Sequence, residues 1–126
     1  MWVFSQDGFI SVVDNGIKPG LLAARARDRQ SLAVLAEMAE EEIEFTPSRD
    51  YQYRVYVTRE LLEDFMKLTI ETIDYPNFKD RLYTSRGKEF AHAAGGVWMV
   101  MNDVADEEYV DWHAQKSAAN RRALSE

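Results

Sequence analysis

TPSRDYQYRVYVT, residues Thr46–Thr58, carries the strongest strand signal in the chain, and the fold follows outward from it. Alternation puts Tyr51, Tyr53, Val55 and Val57 on one face of a pleated strand and Gln52, Arg54, Tyr56 and Thr58 on the other. Pro47, Ser48 and Asp50 form a turn ahead of it, and EIEF (residues 42–45) supplies a short partner strand, so residues 42–58 predict a hairpin. Thr58 then serves as the N-cap of a helix over RELLEDFMKLTIETI, in which Leu61, Leu62, Phe65, Met66, Thr69, Ile70 and Ile73 recur at helical spacing.

Upstream, Asp28 is placed to cap a helix over RQSLAVLAEMAE. That helix should stop near Ala39, because Glu37, Glu40, Glu41, Glu42 and Glu44 oppose the dipole at its end. LLAARAR (residues 21–27) reads as a strand with Leu22, Ala24 and Ala26 on one face and Ala23, Arg25 and Arg27 on the other. NGIKPG (residues 15–20) is a loop by its Gly, Asn and Pro content. MWVFS and GFISVVD flank QDG, a hairpin turning at Asp-Gly.

Downstream lies IDYPNFKDRLY, Ile73–Tyr83. Pro76 blocks the preceding helix, Asn77 caps a short one from Phe78, Asp80 sits near its positive end, and Phe78 can pack on Leu82. No capping rule requires Tyr75 and Lys79, which remain a polar cluster without a structural assignment. A further helix from Lys88 to Val104 places Phe90, Ala94, Val97, Trp98 and Met101 on its apolar side. Gly95 and Gly96 interrupt it and predict a kink or a close helix contact. From Ala105 on, acids come first and arginines last, which favours a helical appendage or a partly disordered tail. The expected division is a domain over residues 1–104 and a tail over 105–126. The fold class is α+β: an antiparallel sheet of about four to five strands with helices on one face, reminiscent of the ferredoxin-like plan but lacking its final strand, plus C-terminal helices.

Composition narrows the function. The chain has 126 residues and no cysteine, so disulfides, thiolate nucleophiles and Cys-bound zinc are excluded. The N-terminus has no basic segment followed by an apolar stretch, and the apolar runs are far shorter than the ~20 residues of a membrane span; a soluble, cytoplasmic protein is expected. The net charge of −7, from 22 acidic against 15 basic residues, disfavours non-specific binding to a phosphate backbone but leaves room for a local basic patch or a basic partner. Phosphate-binding, dinucleotide, zinc-hydrolase and calcium-loop motifs are missing. His92 and His113 are the only histidines; Glu89 and His92, three apart, offer two metal ligands and no third, so neither metal nor cofactor is expected.

Two kinds of surface remain. Burying Tyr51, Tyr53, Val55 and Val57 with Leu22, Ala24 and Ala26 sends Arg25, Arg27, Arg54 and Tyr56 to the opposite sheet face, where they could stack bases or grip phosphates unless Asp28, Glu42 and Glu44 neutralise them. The acidic edge at Glu40, Glu41 and Glu42 and the aromatic pair Tyr109 and Trp112 are candidate protein-docking positions. Trp2, Phe4, Phe9 and Trp98 are expected in the core.

MWVFSQDGFISVV, RARDRQSL, TPSRDYQYRVYV, IDYPNFKD and VWMVM occur in an order that resembles a set of small bacterial and phage proteins with no established activity. The resemblance covers residues 1 to about 103 and implies no catalytic role. In that set a His precedes the Val-Trp pair, whereas here Gly95 and Gly96 precede Val97, and the tail from Ala105 is an addition. The expected function is a non-enzymatic accessory protein that binds a macromolecule, foremost a protein and with a homo-oligomer as one form of this, with nucleic acid as the alternative and an enzyme of unrecognised type as a third.

Overall fold

The computed structural model describes residues 1–125. In chain order the elements are β1 (Trp2–Ser5), β2 (Gly8–Val13), β3 (Leu22–Ala26), α1 (Gln30–Ala39), β4 (Glu44–Phe45), β5 (Tyr53–Val57), α2 (Arg59–Glu71), α3 (Phe78–Arg86), α4 (Lys88–Asn102) and α5 (Glu107–Ser125). The chain divides into two compact units, Met1–Ala91 and His92–Glu126, with α4 running from the first into the second.

The first unit is an α+β fold on a five-stranded antiparallel sheet ordered β1-β2-β3-β5-β4. Within it, β3–α1–β4–β5–α2 reproduces the split β-α-β arrangement: β5 lies between β3 and β4 and runs antiparallel to both. The ferredoxin-like plan would place a last strand beside β3 after the second helix. Here β2 of the N-terminal hairpin holds that place.

One sheet face is the core. Ile10, Val12, Leu22, Ala24, Ala26, Val55 and Val57 pack against Leu32, Leu35 and Ala36 of α1 and Leu62 and Phe65 of α2. Small alanines on β3 let α1 approach the sheet closely, which explains why a strand of poor intrinsic propensity is central. The helix boundaries follow local chemistry. The Asp28 carboxylate accepts from Ser31 N at 3.0 Å, the Thr58 hydroxyl from Leu61 N at 3.1 Å, and Asn77 Oδ1 from Asp80 N at 3.0 Å. α1 ends where Glu40 turns left-handed at φ 52°, while Glu41 N–H reaches back to the Ala36 carbonyl.

Several expectations change. The first hairpin turns through Gln6 and Asp7, and Gly8 already belongs to β2 opposite Ser5. Tyr51 does not share a face with Tyr53: β5 starts at Tyr53, and Tyr51, still in the turn, lies beneath the Arg25 and Arg27 guanidiniums. Trp2 is 70% exposed, Phe4 is also exposed, and Phe9, paired with Phe4, is half-buried outside the core. β1 is an edge strand whose alternation gives Val3 to the core and turns Trp2 and Phe4 to the other face. Trp98 is 71% exposed rather than core. α4 continues through Gly95 and Gly96, and a side chain at Gly96 would meet open space, so no close helix contact explains that glycine.

Candidate interaction surfaces

The sheet face opposite the helices is organised by register. Trp2, Ser11, Arg25, Arg54 and Glu44 form one row across the five strands, each opposite the next. Arg25 Nη2 donates to Ser11 Oγ at 2.8 Å and Arg54 Nη2 to the Tyr51 carbonyl at 3.0 Å. The Nε atoms of both arginines are buried without a partner. Both Arg25 and Arg27 lie over the Tyr51 ring, at 4.6 and 4.5 Å from its centroid.

The acids that could neutralise this row are engaged elsewhere or apart. Asp28 binds Arg86, Glu44 binds Lys18 at 3.3 Å, and Glu42 forms no ion pair among the described residues. Arg27 takes Asp50 at 3.2 Å, with both side chains more than half exposed. Arg25 and Arg54 have no carboxylate partner among the described residues. The two guanidiniums stand on neighbouring strands, and Glu44, next in the row opposite Arg54, is ion-paired to Lys18 instead of to either of them.

The four residues predicted for this face do share it, but not equally. Arg27 is exposed and Arg25 half-buried; Arg54, at 5% exposure, and Tyr56, roofed by Lys18 at 4.3 Å from its ring, are covered. The accessible apolar part comes instead from Trp2, Phe4 and Phe9. Phe4 stacks on Phe9 at 4.5 Å, Trp2 meets Phe9 edge-on at 5.8 Å, and Phe9 continues to Tyr51 at 6.3 Å. Their shared parity with Ser11 was the signal available in the sequence.

A second polar centre was not anticipated. Arg86, at the end of α3, is 8% exposed and reaches across the first hairpin. Its Nη1 donates to the Asp7 carbonyl at 2.6 Å and to Ser31 Oγ at 3.2 Å, its Nη2 donates to Asp28 Oδ2 at 2.6 Å, and its guanidinium covers the Phe90 ring. Ser31 Oγ also accepts from Phe9 N at 3.2 Å. Gly8, at φ 134°, makes room: a Cβ there would overlap Ser31 Oγ and Arg86 Nη1. Burial, the largest influence on Asp28, raises its pKa. Hydrogen bonds from the Ser31 hydroxyl, Arg86 and the Ser31 amide, with the Arg86 charge, outweigh it and hold the carboxyl below its ordinary value. Burial pushes Asp7 up, only partly offset by the charge of Arg86. Arg86 thus clamps α3 to the hairpin and to the start of α1, leaving only its own Nε buried without a partner among the groups of this centre.

The remaining candidates are simpler. Glu40, Glu41 and Glu42 are exposed, and Glu41 and Glu42 border a small polar recess shared with Lys18, Glu44 and Tyr56. At the α2–α3 corner, Asn77 is a cap, Tyr75 packs its ring at 6.2 Å from Phe78, Arg81 pairs with Asp74, and Lys79 is exposed. Capping and packing thus account for that corner apart from Lys79.

The second unit presents a helical surface. Val97, Trp98, Met99, Val100, Met101 and Val104 are all exposed. Val97 to Met101 are consecutive on α4 and so point to all sides of it, and Val104 follows just beyond its end. On α5, Tyr109 and Trp112 stack at 6.1 Å, and Lys116 lies over the Trp112 ring. Both rings are about half exposed, as is Val110, and His113 is exposed nearby.

Among the described residues no group of three or more metal-ligating side chains gathers, and no helix is long and apolar enough to cross a membrane. No family model, curated protein or solved structure matches the chain.

Proposed function

We propose that the chain is a non-catalytic accessory protein whose second unit docks on a protein partner. The observation that carries this reading is the unbroken exposed run on α4, from Val97 to Met101, extended by Val104. Exposed apolar residues scattered singly need no explanation, but a contiguous stretch of large ones marks an interaction surface. Trp98, Tyr109 and Trp112 are the residue types that dominate binding energy at such surfaces. The hydrophobic core of the first unit contains none of these residues.

The test keeps the full chain and replaces exposed residues only. Trp98→Glu/Met101→Glu and, separately, Tyr109→Ala/Trp112→Ala are compared with the unaltered protein in affinity capture with mass spectrometry and in light scattering. The expected result is a partner, or a self-associated species, that the Glu pair eliminates while the circular dichroism of the first unit's sheet is retained. Capture of the same proteins and the same mass by all three forms refutes the reading.

A further inference from the structure

We infer that the open sheet face of the first unit is a binding site for single-stranded nucleic acid, with a base stacked on Trp2 and Phe4 and the adjoining phosphates held by Arg27 and Arg25. This goes beyond the proposed protein docking and rests on different residues.

The charge arrangement points to an anion. Among the described residues Arg25 and Arg54 are neighbours on adjoining strands with no carboxylate partner, and both keep a buried Nε with no acceptor. Arg54 is 95% buried by its 5% exposure, so it cannot relieve its charge in solvent. Arg27 spends its charge only on Asp50, an exposed pair worth under about 1 kcal/mol, which a phosphate can displace. The net charge of −7 disfavours non-specific phosphate binding, and Glu41, Glu42 and Glu44 flank the Tyr56 end of this face, so the site is confined to the Trp2, Arg25 and Arg27 end. The exposed acids of α1 and α2, among them Glu37, Glu60, Glu63 and Glu71, belong to the helices on the other side of the sheet. A local field, not the total charge, governs encounter at a face.

The aromatic arrangement points to a base rather than to an acidic peptide. Trp2 is exposed, and Phe4, Phe9 and Tyr51 continue from it as a contiguous ring surface toward the arginines. Rings beside guanidiniums on an open antiparallel sheet suit an unstacked base and its phosphate, because every base has a π-face. A duplex hides those faces, so binding should require a single strand. A chain of glutamates would satisfy Arg25 and Arg27 but would leave the rings unused.

The experiment is fluorescence anisotropy of labelled oligothymidine and oligouridine of about a dozen nucleotides, a length suited to one such face. Titrations run between about 50 and 200 mM salt. The expected result is single-strand binding whose logarithmic salt slope is about −1.4, two phosphates at about 0.7 each. Trp2→Ala should weaken it by the order of tenfold, and Arg27→Ala should reduce the slope by about 0.7. Asp50→Asn should tighten binding by freeing Arg27. Oligodeoxyuridine compared with oligouridine isolates the contribution of the 2′-hydroxyl. These residues are exposed, so the variants keep the fold, checked by their melting curves. Any of four results overturns the inference: no binding at the lowest salt, equal affinity for a duplex, unchanged affinity in Trp2→Ala, or equal competition by polyglutamate.

Discussion

Gly8→Ala should be among the most damaging single-methyl additions to this protein, and the reason can be separated into two parts. The first is backbone: at φ 134° a Cβ is strained, which costs about 1–3 kcal/mol. The second is overlap with Ser31 Oγ and Arg86 Nη1. Moving Ser31 Oγ aside strands Phe9 N and loosens Arg86 from Asp28, and each buried polar group left without a partner costs about 1–3 kcal/mol. Together the loss is roughly 2–6 kcal/mol, a large share of a stability that is about 5–15 kcal/mol in total for a typical domain. Gly16→Ala is the control. Gly16 also has positive φ, at 71°, but a Cβ there meets nothing, so only the backbone part applies, about 1–2 kcal/mol. Urea unfolding would be followed by Trp2 fluorescence in a Trp98→Phe/Trp112→Phe background, so that only the first unit reports. A double-mutant cycle with Arg86→Ala then tests the route. If the overlap acts through Arg86, Gly8→Ala costs less in that background, with a coupling of about 0.5–3 kcal/mol. Equal costs at Gly8 and Gly16, or zero coupling to Arg86, would refute the reasoning.

The two aspartates of the same centre should respond to pH with opposite sign. The Asp28 pKa is lowered in the folded protein, so its contribution is full above the unfolded value of about 3.9 and is lost as pH falls through the folded value; Asp28→Asn should therefore destabilise at neutral pH, by about 1–3 kcal/mol after allowing for a partly exposed carboxylate, and the gap to wild type should close in acid. The Asp7 pKa is raised, so ionising it opposes folding above that value, and Asp7→Asn should stabilise at neutral pH with no gain in acid. Thermal melts across the acid range read both, and parallel pH profiles for the two variants would contradict the assigned environments. Glu40→Gly should stabilise by about 0.5–1 kcal/mol, because Glu40 is the one non-glycine residue with positive φ among those described; a loss in urea midpoint would show that its side chain has an unrecognised contact.

What could be read from the sequence divides along a physical line. Alternation and capping are local, so β2, β3, β5, α1, α2 and α3 and the caps Thr58 and Asn77 were readable, as was the placement of Arg25 and Arg54 on one face. The clamp was not, because Arg86 meets Asp28 and Asp7 across 58 and 79 residues, and the one local trace was a glycine at the start of a strand. Tyr51 was misplaced because strict alternation was extended past the strand's end into a turn, where parity no longer dictates direction. Trp2, Phe4 and Trp98 failed for a different reason. Apolar residues fill cores, yet an apolar residue is not thereby in one: burial needs a second layer, and whether a layer exists is a property of topology. β1 is an edge strand, α1 and α2 both take the same sheet face, and nothing in the first unit is left to cover Trp2. The same deficit of layers that defeated the prediction is what makes these residues informative. Trp2, exposed on an edge strand and in one register row with Arg25 and Arg54, thus lies where the inferred single-strand site needs a stacking ring.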